Sequence, residues 1–328
     1  MTLSCHKWIA ALLILIFAPL TSANKPAAPE SDKPIQVLLN DWTSQLVLAR
    51  VTGQVLQSMG YNVGYVNKTS NAQWGSLKLG LSHIQVEVWE GTMSKMFQRM
   101  IDAGAIVDAG THDAITREEW WYPLYVEELC PGLPDWQALK KCSDLFVDPR
   151  TAPQGMYLGG PWEKPDAARI RALGMDFKAI TVEQGDDLWV ELKRAAIEQR
   201  PIVLFNWTPN WVEAKYPGRF IEFPDYHPDC ETKPSWGTNP RFLHDCGNPK
   251  QGWLKKAAWK GMPDTWPCAY ETLQNINFSN AMIAELASMV DVDGLSYEAA
   301  SDKWMADNQT IWSQWIPSHC QVEQQRIQ

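Results

Sequence analysis

The sequence has no C-x-x-C pair, no H-E-x-x-H, no G-x-S-x-G and no Gly-rich phosphate loop. Those absences set aside zinc-ribbon sites, zinc proteases, the common serine hydrolases and nucleotide-cradling loops. It also lacks any run of basic residues. With 29 Lys and Arg against 38 Asp and Glu, the formal net charge is −9. Nucleic acid is therefore a poor candidate partner, and the field weakly favours a cationic one. There is no fixed-period repeat and no low-complexity tract. One long apolar run exists, Trp8–Leu20. It falls short of the roughly 20 residues a membrane span needs.

That run has the layout of a secretory signal over residues 1–23. Lys7 precedes it and Thr21-Ser22-Ala23 offers small residues for cleavage. Residues 24–33 then read as a flexible leader rich in Pro and Ala. The expected destination is the periplasm. Cysteine usage agrees: six of the 7 Cys follow the signal. An even set in an oxidising compartment argues for disulfides. The expected pairs are Cys130–Cys142 and Cys230–Cys246, each closing a local loop, which leaves Cys268–Cys320.

The 328 residues suffice for two lobes of roughly 100–150 residues each. Short apolar runs alternate with helical patterns. Strands are expected at Ile35–Leu39, Tyr61–Val66 and Ile84–Trp89, with helices at Thr43–Met59, Gln73–Leu81 and Thr92–Ala103. Ile106–Val107 begins a short extended piece. The rhythm recurs with strands Ile180–Val182, Ile202–Phe205 and Phe220–Phe223 around helices Asp186–Gln199 and Trp211–Lys215. Asn280–Met289 and Tyr297–Trp315 read as closing helices. The β-α-β order predicts α/β architecture with parallel-type sheets flanked by helices.

Tryptophan is in excess, at 18 residues. Trp42 follows the first strand, Trp89 ends the third and Trp207 ends a later one. Trp120 and Trp121 share one segment, and Trp162 follows Gly159-Gly160-Pro161. In open α/β sheets, ligands bind at the carboxyl ends of the strands. Aromatic faces there suit a methylated ammonium, which has no hydrogen to donate. Trp136, Trp189, Trp253, Trp259, Trp304, Trp312 and Trp315 read as packing residues.

Three segments carry a resemblance. Leu204-Phe-Asn-Trp-Thr-Pro-Asn-Trp-Val212, Val86-Glu-Val-Trp-Glu-Gly-Thr92 and Leu39-Asn-Asp-Trp-Thr43 are similar to substrate-binding proteins of ABC importers for glycine betaine, choline and related solutes. Trp120-Trp-Tyr-Pro-Leu-Tyr-Val126 resembles that family's segment crossing between lobes. The resemblance spans roughly residues 34–316. It implies a two-lobe type II periplasmic-binding fold with the ligand cleft between lobes. Residues 34–118 and 256–328 would form one lobe and 119–255 the other. It also implies a cage of Trp42, Trp89, Trp121 (or Trp120 or Tyr122) and Trp207, with Trp162 as a further wall. The partners implied are a small quaternary amine and an inner-membrane permease, with the chain a monomer that needs no cofactor.

Departures bear on the ligand. Met93 replaces a polar residue that betaine binders carry there, and Pro165 has no N–H to offer a carboxylate. Glu118, Glu119, Glu87 and Glu90 lie close in sequence to the aromatic positions. A carboxylate beside the cage tilts the reading toward choline or trimethylamine N-oxide. Separately, Asp225, Asp229, Glu231 and Asp245 form an oxygen-rich excursion that suggests a structural calcium ion. Two other functional readings stand beside the importer: a secreted, Trp-rich carbohydrate-active enzyme, and a solute-delivery protein for a sensor.

Overall fold

The computed structural model describes residues 29–162 and 164–321. The expected signal, and the leader up to Ala28, lie outside the described residues. From Pro29 on, the leader is tied to the body. Glu30 accepts the Tyr61 hydroxyl and the Cys268 backbone N–H.

Among the described residues nine strands join in one sheet: β1 (Ile35–Leu39), β2 (Val63–Asn67), β3 (Ile84–Trp89), β4 (Ile106–Pro123), β5 (Gly155–Gly159), β6 (Phe177–Thr181), β7 (Leu204–Thr208), β8 (Gly218–Phe220) and β9 (Gly252–Trp259). Their order is β2-β1-β3-β9-β4-β7-β5-β6, with β8 on β4. Each end of this path is parallel: β1 pairs with β2 and β3, and β5 with β6 and β7. Helices supply the crossovers, as parallel pairing requires. The two ends are the two lobes of a type II periplasmic-binding fold.

The antiparallel strands β4 and β9 join them. Up to Thr116, β4 pairs with β9; from Arg117 it pairs with β7, and from Trp121 also with β8. All of β9, from Gly252, pairs with β3 or β4 on the first-lobe side. The short extended piece expected at Ile106 is thus an 18-residue strand. Its register shifts between Asp108 and Thr111, where Gly110 sits at φ 100°. Only glycine takes that conformation at little cost, and it bends the strand.

Other expectations needed adjustment. The short, Gly-flanked β5 and the Lys-bearing β9 were not anticipated, nor were helices Trp136–Lys141, Asp166–Leu173 and Pro267–Asn275. The closing helix breaks at Asn308, whose side-chain amide donates to the Trp304 carbonyl. The three expected disulfides are all present. Two staple local loops, and Cys268–Cys320 ties the C-terminal segment to helix Pro267–Asn275. No helix among the described residues is long and apolar enough to cross a membrane.

Candidate functional site

Between the lobes lies a cavity lined by Trp42, Trp89, Thr92, Met93, Glu118, Trp162, Phe205 and Trp207. It encloses about 280 Å³, part of it open to solvent. The topology explains why these residues meet. Trp42 follows β1, Trp89 ends β3, Trp162 follows β5, and Phe205 and Trp207 belong to β7. The four tryptophans stand toward the carboxyl ends of parallel strands, Phe205 lies two residues before Trp207 on β7, and Glu118 sits where β4 changes lobes.

The rings form a continuous wall. Trp162 meets Trp42 edge-on at 6.2 Å and Trp207 edge-on at 5.3 Å. Phe205 lies 5.7 Å from Trp162 and 5.6 Å from Trp207. The contacts made by Trp162 suit edge-to-face attraction between aromatic quadrupoles, and Phe205 and Trp207 are tilted at 31°. Trp162 also donates its indole N–H to Asp41 at 3.2 Å. Asp41 comes from the first lobe and Trp162 from the second, so this bond spans the cleft.

Two carboxylates shape the cavity. Glu87 is fully buried behind it and accepts the indole N–H groups of Trp42 (2.5 Å) and Trp89 (3.0 Å). Burial pushes its carboxyl up to about 7, against the lowering effect of its donors. Glu118 faces the cavity. One oxygen accepts the Thr92 hydroxyl at 2.8 Å and lies 3.8 Å from the Lys164 ammonium. The other oxygen is buried with no side-chain donor, beside the Gly91 and Thr92 backbone N–H groups, which favour the charged form. Burial raises the Glu118 carboxyl above its ordinary range, and Lys164 opposes the rise. Burial likewise lowers Lys164, whose Nζ lies 3.5 Å over the Phe205 ring and makes no hydrogen bond. Charge on either partner is thus costly.

The structure does not bring every sequence-selected residue here. Trp120 is core of the second lobe: it stacks on Tyr157 at 3.8 Å and donates to Asp166. Trp121 is fully buried, with its ring where a side chain at Gly218 would stand. Tyr122 donates to Glu127. Glu119 pairs with Arg169 at 2.6 Å and accepts the Asn248 N–H. All four are taken up by packing and partners within the second lobe. Phe205, Thr92, Asp41 and Lys164 were missed. Phe205 was legible, since residues two apart on a strand share a face and Trp207 had been chosen.

The suggested calcium ligands do not gather. Asp225 pairs with Lys250, Asp229 with Lys233 and Glu231 with Lys95, while Asp245 accepts the Asn239 N–H. The close cluster of metal-type side chains among the described residues is Cys268, His319 and Cys320, whose sulfurs are a disulfide.

Over residues 33–307 the chain matches the family described as the substrate binding domain of the ABC-type glycine betaine transport system. The chain belongs to this family. It is a substrate-binding protein, and the enzyme alternative falls away with that membership. The family implies a small solute and a transporter permease as partners. It is 39% identical over 316 residues to the trimethylamine N-oxide-binding protein of Pelagibacter ubique (strain HTCC1062), covering 94% of this chain and 98% of that one. Its fold is shared with lactococcal OpuAC complexed with glycine betaine (TM-score 0.66, 18% identity, 87% of this chain and 100% of that). A choline-binding protein in complex with choline is also similar (TM-score 0.67, 18% identity, 86% and 92%). So is ProX of Borrelia burgdorferi (TM-score 0.70, 17% identity, 87% and 97%).

Proposed function

We propose that this substrate-binding protein captures trimethylamine N-oxide, or a methylated amine of closely similar size, in the cavity between its lobes. It then delivers the ligand from the periplasm to an ABC permease. The carrying observation is the wall of Trp42, Trp89, Trp162 and Trp207 with the buried carboxyl of Glu118 beside it. The methyl groups of such a ligand carry its positive potential and offer no donor to water or protein. Indole faces meet that demand at about 0.5–2 kcal/mol per contact. Three or four contacts supply a large part of the roughly −8 kcal/mol that corresponds to micromolar affinity.

Glu118 selects among heads. Protonated, it donates to the N-oxide oxygen; ionised, it accepts a hydroxyl such as that of choline. Its upward shift supports the first state. Met93 in the wall, which cannot donate, and Pro165 without an N–H argue against a carboxylate-bearing ligand such as glycine betaine. Contacts from both lobes favour the closed form by their differential affinity.

The test is competition of the three ligands by quenching of tryptophan emission. Tightest binding by the N-oxide, kept in Glu118→Gln, whose amide still donates, and lost in Glu118→Ala, supports the reading. Equal affinity for all three, or none for any, contradicts it.

A further inference from the structure

Glu87 is not part of the cavity lining, yet it holds two of its walls. It lies on β3 with no exposed surface. An isolated carboxylate in such a place is expensive. Its Oε2 accepts three donors: Trp42 Nε1 at 2.5 Å, Trp89 Nε1 at 3.0 Å and the Ser44 hydroxyl at 3.0 Å. Its Oε1 is buried with no protein partner. The three donors come from the loop after β1, from the end of β3, and from helix Thr43–Ser58. Titratable groups on the surrounding elements are engaged elsewhere. Lys255 pairs with Asp108, His112 bonds the Val86 carbonyl, Asp291 takes the Thr43 hydroxyl, and Glu118 takes that of Thr92. The charge of Glu87 is therefore met by neutral donors alone.

We propose that Glu87 is the positioning residue of the ligand site: its one shared oxygen fixes the indoles of Trp42 and Trp89 in a single relative orientation and sets a negative charge at their N–H edges. This rests on the methylated-amine reading above. An indole that donates to an anion carries more electron density on its face, so ionised Glu87 strengthens what the rings offer a cation. When Glu87 is protonated, the same three donors face a neutral oxygen and both effects weaken. A ligand of fixed positive charge binds better as pH rises through the titration of this group, which burial holds near about 7. Reciprocally, such a ligand lowers that midpoint.

Two readouts separate this inference from the ligand assignment. The first needs no ligand. Indole N–H resonances of Trp42 and Trp89 are followed by NMR from pH 5 to 9. They are expected to move together with one midpoint, to move at higher pH in Ser44→Ala, and to show no step in Glu87→Gln. Independent or absent movement in the wild type would overturn the proposal even if methylated amines bind. The second readout is choline affinity by calorimetry in a Glu118→Gln background, which removes the other cavity carboxyl. Affinity is expected to rise about tenfold between pH 5.5 and 8.5, and to become flat and about tenfold weaker at pH 8.5 when Glu87→Gln is added. An unchanged slope with Glu87→Gln would refute the role, whereas failure of every methylated amine to bind, with the resonance step intact, would refute only the ligand reading.

Discussion

Trp162→Ala probes both halves of the account at once, because Trp162 is cavity wall and inter-lobe contact together. Three interactions that bear on ligand binding are lost. One is a face toward the ligand, about 0.5–2 kcal/mol. The second is the edge contact with Trp42 across the cleft, about 0.5–1.5 kcal/mol. The third is the N–H bond to the Asp41 carboxylate, about 1.5–3 kcal/mol for a charged partner. At 3.2 Å this bond belongs at the low end of its range. The lower ends together come to about 2.5 kcal/mol, or roughly 70-fold in Kd. The ring contacts of Trp162 with Phe205 and Trp207 lie within one lobe, so their loss lowers the melting temperature and not the affinity. Calorimetric titration with trimethylamine N-oxide reads the affinity, and the melting temperature controls for folding. Trp162→Phe keeps a face and an edge and loses only the N–H, for roughly tenfold. Asp41→Ala costs the same, and combining it with Trp162→Phe adds nothing further, because both remove one bond. A Trp162→Ala protein within threefold of the wild type, or additivity of the pair, would refute the reasoning.

Other outcomes follow from the same geometry. Trp120→Ala removes a core ring stacked on Tyr157 and is expected to cost about 3–5 kcal/mol of stability while leaving affinity at permissive temperature within a few-fold; thermal unfolding beside a binding curve checks this. N-oxide binding is expected to weaken as pH rises through the raised Glu118 titration, since the donor is its protonated form, and Glu118→Gln should remove that dependence; titrations from pH 5.5 to 9 read it. Glu87 also raises its folded-state pKa, so the unfolded chain binds fewer protons than the native one between about 4.5 and about 7, and stability falls with pH there; denaturant unfolding of Glu87→Gln should show a shallower pH slope. Cys268→Ser with Cys320→Ser opens a closure of 52 residues and is expected to lower stability by about 2–4 kcal/mol with affinity unchanged, measured by the same two assays.

Much of the fold was legible because α/β crossovers leave a plain rhythm. β1, β3 and the helices after them match their expected ranges within a few residues. The strands that join the lobes were not legible. Ile106–Pro123 runs through Asp108, Asp113 and Arg117, and its outer part alternates buried and exposed positions rather than forming an apolar run. β9 carries Lys256 in the core, satisfied by the carbonyls of Gln274 and Ile276, a solution no local pattern announces.

The site divides in the same way. Trp42, Trp89, Trp162 and Trp207 were readable from their places after strands. Trp120 and Trp121 misled because adjacent residues on a strand point oppositely, and one was expected to face the cleft. Both rings are fully buried within the second lobe. Glu118, two residues before Trp120, reaches the cavity instead. Lys164 and Asp41 act through loop geometry, which spacing does not encode.

The central claim is that indole faces from both lobes enclose a methylated amine and that Glu118 completes its recognition. Calorimetric titration of the purified protein against trimethylamine N-oxide, choline and glycine betaine tests it most directly. The account predicts one-site binding tightest for the N-oxide and weakest for glycine betaine, with a negative heat-capacity change from buried methyl surface. Tight binding of glycine betaine with no measurable heat from the N-oxide would contradict it.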